Sequence, residues 1–159
     1  MILLLADDSV HALRMGEQIL RGEGFEVLTA TGGLAAAKFL DEIAPAILIA
    51  DAFLPERNGL DLCRLAKAAQ PPVKVILTTG ALETIDESAA RAAGCDAILR
   101  KPFEASVMAD AVKRLAVDAG SDAVMRAAIA EAVEAEMPRF VREITRKVWA
   151  NMRVQLRGK

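Results

Sequence analysis

Short apolar runs alternate with longer amphipathic ones along the first 118 residues. Ile2 to Ala6 is a β-run that stops at Asp7-Asp8. Ser9 can cap a helix to about Arg21, with Val10, Leu13, Ile19 and Leu20 as its apolar stripe and Gly22 and Gly24 ending it. The pattern then repeats four times. Phe25 to Ala30 reads as a strand, and Thr31 with two glycines opens a helix through about Glu42. Pro45 starts a strand ending at Asp51, and Asn58 or Gly59 starts a helix to about Ala69. Val73 to Thr79 is a strand and Thr84 to Ala93 a helix. Cys95 to Arg100 is the fifth strand, followed by a helix from about Glu104 to Val117 with Val107, Ala111 and Leu115 on one side. Such alternation predicts a doubly wound α/β unit: a five-stranded parallel sheet with helices on both faces and right-handed crossovers.

After Val117 the pattern changes. Asp118 to Asp122, DAGSD, reads as a polar linker, so the expected domains are 1–118 and a helical extension over 119–159. In the extension Met125, Ile129, Val133, Met137, Val141, Ile144, Val148 and Met152 recur at three- or four-residue steps, with Phe140 and Trp149 among them. Pro138 disfavours helical geometry at the residue before it. Two helices are therefore expected, at about 122–136 and 138–156 with Pro138 opening the second, a single kinked helix being the alternative.

Composition narrows the class without changing this picture. Hydrophobic residues make up 53% and aromatics only 4%, which suits a helix-rich α/β protein. No apolar run approaches the roughly 20 residues that span a bilayer, and Ile2 to Ala6 is too short for a signal peptide. A soluble, cytoplasmic protein without a transmembrane segment is expected. Cys63 and Cys95 lack metal-ligand spacing and are read as free thiols. The net charge of −2 conceals an asymmetry: residues 1–118 carry 17 acids and 12 bases, whereas 119–159 carry 5 acids and 8 bases.

The candidate chemistry sits at strand ends. In AILIADAFLPERNG a fully apolar strand delivers Asp51 to the sheet edge where open α/β folds bind ligands. Asp7 and Asp8 follow the first strand, Thr79 the fourth and Lys101 the fifth. Taken singly these are a helix cap, a turn residue and a loop lysine. Together, three carboxylates and a lysine form a hard-oxygen site suited to Mg²⁺. A carboxylate there can also attack phosphorus to form an acyl phosphate.

LLLADDS, ILIADAFLPERNG, VILTTGA and ILRKPF, in that order, resemble the receiver domain of two-component response regulators, a flavodoxin-like fold. The resemblance covers residues 1 to about 118. It implies that Asp51 is the phosphoacceptor, served by a histidine kinase or phosphotransfer protein. By the same resemblance Asp7, Asp8, Asp51 and the backbone carbonyl of Phe53 hold Mg²⁺. Lys101 pairs with the phosphoryl group, Thr79 with Gly80 binds it and reports its presence, and the bond before Pro102 is cis. Such a domain is a signalling module that assists its own phosphorylation and dephosphorylation, and is not a turnover enzyme. The chain departs from the pattern at Ile98, where relatives carry Tyr or Phe as a rotating switch. Phe53 and Ala81 are nonpolar where polar side chains would orient a hydrolytic water, so slow loss of the phosphoryl group is expected. An aspartate-nucleophile phosphohydrolase would need a second acid at position 53. A receiver that signals without phosphorylation is disfavoured, because every phosphorylation residue is present.

His11, the only histidine, reads as a solvent-facing residue of the first helix. The tail is basic from Arg139 on, so a nucleic-acid-associated or transcriptional regulator is the alternative reading; two helices are too few for a self-standing helix-turn-helix domain. EMPRFVREITRKVW is weakly similar to the C-terminal assembly helices of bacterial polar scaffold proteins. The favoured expectation is a homodimer, or docking on a partner, through the apolar stripe.

Overall fold

A computed structural model describes residues 1–136 together with 141, 143, 144, 146 and 147. Its elements are β1 (Ile2–Ala6), α1 (Val10–Gly22), β2 (Glu26–Ala30), α2 (Gly33–Ile43), β3 (Ile47–Asp51), α3 (Gly59–Ala68), β4 (Lys74–Thr79), α4 (Glu87–Ala92), β5 (Ala97–Arg100) and α5 (Ala105–Glu136). All five strands are parallel, in the order β2-β1-β3-β4-β5. β1 and β3 therefore lie inside the sheet, and the chain reverses its direction of winding between them. All strands end at one edge, and that edge collects the polar residues.

Two apolar layers hold the sheet. Side chains of a strand alternate between faces, so Leu4, Leu48, Ala50, Val75 and Leu77 pack with Ala36 and Leu40 of α2, Leu62 and Ala66 of α3 and Ala90 of α4. Leu3, Leu5, Ile47, Ile49 and Ile76 face the other way, onto Leu13 and Leu20 of α1 and Met108, Ala111 and Val112 of α5. The buried side of α1 is Leu13, Gly16 and Leu20, with Val10 exposed. On α5, Met108 rather than Val107 turns inward; Val107 is 44% exposed.

Helix starts follow their caps. Ser9 accepts from the Ala12 amide, Asn58 from Asp61 and Asp86 from Ala89. The Asp86 cap explains why α4 begins at Glu87 and not at Thr84: an aspartate at this position satisfies an amide that the first turn leaves unpaired. β5 is likewise shorter than expected, because Asp96 is committed elsewhere. Its Oδ2 accepts from the Val75 amide at 2.7 Å and from Lys67 Nζ at 2.5 Å, fixing the entry to the strand against β4 and α3.

The chain divides into two units, Met1–Ala119 and Gly120–Lys159. The segment 118–122, expected as a polar linker, contains the boundary between the units and is helical within α5. One glycine costs a helix about 1 kcal/mol, and the flanking Ala, Val and Met residues are tolerant or good helix formers. Arg126 Nε also donates to the Asp122 carbonyl. Without a proline nothing in DAGSD stops the helix, so the second helix does not begin anew at 122. The expected break at Pro138 lies outside the described residues, as do Met137, Phe140, Val148, Trp149 and Met152. Among the described residues no helix is long and apolar enough to cross a membrane.

Candidate functional site

β3 is buried along its whole length, and its last residue, Asp51, is only 8% exposed. Asp7, just past β1 on the neighbouring strand, is 4% exposed. Two carboxylates this deeply placed need a cation. Lys101, immediately after β5, supplies it: its Nζ donates to Asp7 Oδ2 and to Asp51 Oδ2, at 2.6 Å each. The remaining oxygens are held by backbone. Asp7 Oδ1 accepts from the Ser9 amide and Asp51 Oδ1 from the Phe53 amide, both at 2.8 Å. Residues 94 and 50 positions apart in sequence thus meet at one point of the sheet edge.

Burial lowers the pKa of Lys101, but the hydrogen bonds it donates to Asp51 and Asp7, with their Coulombic attraction, outweigh it and hold the ammonium above its ordinary value of 10.5. Lys101→Met would leave two carboxylates facing each other and is expected to destabilise the fold by about 1–3 kcal/mol. Because the folded-state pKa is raised, the ammonium's contribution is complete below the unfolded value. It fades as pH rises through the higher folded one. In urea melts the gap between wild type and Lys101→Met should stay level from neutral pH to about pH 10 and shrink beyond it. A gap that widens with alkali would disprove the ion pair.

Thr79 and Gly80 complete the edge. Thr79 is fully buried, and its carbonyl accepts from the Lys101 amide at 2.8 Å, tying β4 to the lysine. Its hydroxyl donates to Glu83 Oε2 at 3.4 Å, and the Gly80 amide donates to the same oxygen at 2.5 Å. Glu83 had no distinguishing mark in the sequence; it is a loop acid whose importance comes only from where the loop folds back.

A family model, described as the response regulator receiver domain, matches residues 3–113. The chain belongs to the response regulator receiver family. It is 31% identical over 102 residues to the DNA-binding response regulator MtrA of Mycobacterium tuberculosis (strain H37Rv), covering 64% of this chain and 44% of that protein. It is also 31% identical over 115 residues to the chemotaxis protein CheY of Listeria monocytogenes, covering 72% of this chain and 97% of that one. A solved response regulator receiver domain protein of Clostridium thermocellum superposes with a TM-score of 0.67 at 28% identity, covering 72% of this chain and 92% of that one. The chain spans less than half the length of the MtrA proteins it matches.

Receiver domains are signalling domains, and in this family phosphorylation on an aspartate and Mg²⁺ binding at the acidic site are general. Here the donors that could serve a cation are all oxygens, which fits a hard divalent ion. Asp8 is exposed beside Asp7, and among the described residues no three acidic, Cys or His side chains are gathered to hold a metal. The space between Asp7 and Asp51 is taken by the lysine.

Other receiver positions are plain in the structure. The Lys101–Pro102 bond is cis, and so is Gln70–Pro71, which nothing in the sequence singled out. Ile98 is half-buried on β5 against the α3 and α4 layer. It lines a shallow cavity of about 380 Å³ with Arg91, Cys95 and Arg100. Phe53 is 49% exposed, and His11 is exposed on α1.

Proposed function

We propose that Asp51 accepts a phosphoryl group from a phosphohistidine on a histidine kinase or phosphotransfer protein. The observation that carries this reading is Lys101 Nζ lying 2.6 Å from both Asp51 Oδ2 and Asp7 Oδ2 at the carboxyl edge of the sheet. An Asp51 oxygen attacks phosphorus, the new O–P bond replaces the donor's N–P bond, and the neutralised imidazole leaves. Such transfer is mostly positioning and charge neutralisation. Lys101 follows the developing charge onto a phosphoryl oxygen, while the Phe53 amide keeps Asp51 oriented. Thr79 and Gly80 donate to the remaining oxygens. Mg²⁺, when held by Asp7, Asp8, Asp51 and the Phe53 carbonyl, supplies the positive charge that one lysine cannot.

A small phosphodonor such as acetyl phosphate, with Mg²⁺, is expected to leave one hydroxylamine-labile phosphoryl group, mapped to Asp51 by mass spectrometry. It should persist well beyond seconds, because Phe53 and Ala81 offer a hydrolytic water no polar side chain. Label on any other residue would reject the assignment.

For output we propose self-association through the C-terminal helices. Support comes from Met125, Ile129 and Val133, which sit at four-residue steps on α5 and are more than half exposed, as is Ile144 beyond it. Ile98 removes the aromatic rotor from β5, which favours output through the extension over output through an aromatic switch. Light scattering with Mg²⁺, with and without beryllium fluoride as an acyl-phosphate mimic, should give a dimer for the full chain and a monomer for Ile129→Glu/Val133→Glu. A monomeric wild type in both conditions would assign the stripe to a different protein.

A further inference from the structure

The donors that a phosphoryl group on Asp51 would use are already engaged. Gly80 N–H and the Thr79 hydroxyl converge on one oxygen of Glu83, at 2.5 and 3.4 Å. Thr79 is fully buried, so its hydroxyl cannot turn to bulk water as an alternative. Glu83 closes the loop upon itself as well: its own amide donates to the Gly80 carbonyl at 3.2 Å. The fit is tight. A Cβ placed on Gly80 would stand 2.9 Å from Glu83 Oε2 and 3.0 Å from its Cδ, so the carboxylate lies directly against the glycine.

This carboxylate sits at the reacting edge of the sheet. Thr78 is the register partner of Asp51, and its carbonyl accepts from the Ala52 amide at 2.8 Å. The Thr79 carbonyl accepts from the amide of Lys101, whose ammonium holds Asp51. We propose that Glu83 is a built-in competitor of the phosphoryl group: a carboxylate that holds Thr79 and Gly80 in the resting chain and must release both before they can bind phosphoryl oxygens. The inference rests on Asp51 as phosphoacceptor. Glu83 is then a positioning residue that touches no reacting atom and sets how readily the phosphorylated state is reached. Its release is a population shift: any group that binds only the released arrangement loses apparent affinity by the fraction of chains still latched.

The test uses the full chain with Mg²⁺ and beryllium fluoride, comparing wild type, Glu83→Gln and Glu83→Ala. Glu83 is exposed, so neither variant removes core packing. Losing a charge-assisted hydrogen bond from the resting state should tighten beryllium fluoride binding by about threefold to tenfold, with Glu83→Ala the larger effect. Phosphorylation by acetyl phosphate should speed up in the same order. A second readout needs neither Mg²⁺ nor a phosphate mimic: in Glu83→Gln the Gly80 amide proton resonance should move upfield, as expected when a charged acceptor is replaced by a neutral one. Unchanged or weaker beryllium fluoride binding in both variants, with normal binding by wild type, would overturn the competitor role and leave Asp51 as phosphoacceptor intact. No binding by wild type or either variant would instead bring down the phosphoacceptor assignment and this inference with it.

Discussion

Asp51→Asn is expected to abolish phosphoryl transfer, reducing label from acetyl phosphate to background while Asp7 and Asp8 remain. The reason is geometric. An amide oxygen is a far poorer nucleophile than a carboxylate, and neither remaining acid stands where Asp51 does. Asp7 is held past the end of β1, on the other side of the lysine, by Lys101 and the Ser9 amide. Asp8 is exposed, outside the three-way contact. The same substitution should cost little stability, because Asn is nearly the same shape and Lys101 keeps Asp7 as a charged partner. The expected change is within about 1 kcal/mol, read from urea melts. A variant that loses labelling because it is unfolded would be recognised by those melts; a folded variant that still labels would exclude Asp51 as the acceptor.

The contrast between Asp7 and Asp8 marks the limit of what strand ends reveal in a sequence. An apolar strand ending in a carboxylate is legible because the period and the stop are local, so β3 and Asp51 could be placed with no knowledge of other elements. Lys101 was legible for the same reason, as the residue that follows the fifth strand. That Asp7 would face inward while Asp8 turned to solvent is set by where Lys101 arrives from β5, 94 residues away. Position 83 is a harder case: its meaning depends on a loop returning onto Gly80, and nothing in Gly80 to Glu83 signals that return. Asp96 was hidden in the same way, its partners Lys67 and Val75 lying on other elements. The helical conformation of 118–122 was missed for a different reason. DAGSD has turn-like composition, but composition alone stops no helix that lacks a proline and a capping geometry. Local propensity lost there to the continuity of α5.

Gly33→Ala is expected to be the most destabilising single-methyl change near the site, although helix propensity argues the other way. Gly33 is the first residue of α2, where alanine would gain at most about 1 kcal/mol. A Cβ at that position, however, would lie 1.9 Å from the Arg57 carbonyl oxygen and 2.6 Å from its carbon. Those are backbone atoms of the loop after Asp51, and the loop has little slack. The Gly33 amide donates to the Pro55 carbonyl at 3.2 Å, the Arg57 amide donates to the same carbonyl at 2.7 Å, and Glu56 between them is held at a φ of 66°. A side chain tip could swing away from a new methyl group; a tight turn of backbone cannot. The clash should therefore outweigh the propensity gain, for a net loss of about 2–3 kcal/mol, the upper part of the overpacking range. Because the displaced loop continues from Asp51 through Phe53, phosphorylation should slow as well. Gly22→Ala is the matched control: it is also helical, its Cβ would meet nothing within 4 Å, and it should be neutral or slightly stabilising. Urea midpoints of the two variants separate the effects. If Gly33→Ala matched Gly22→Ala, the close approach of α2 to Arg57 would be refuted, and with it the view that this glycine shapes the loop beyond the phosphoacceptor.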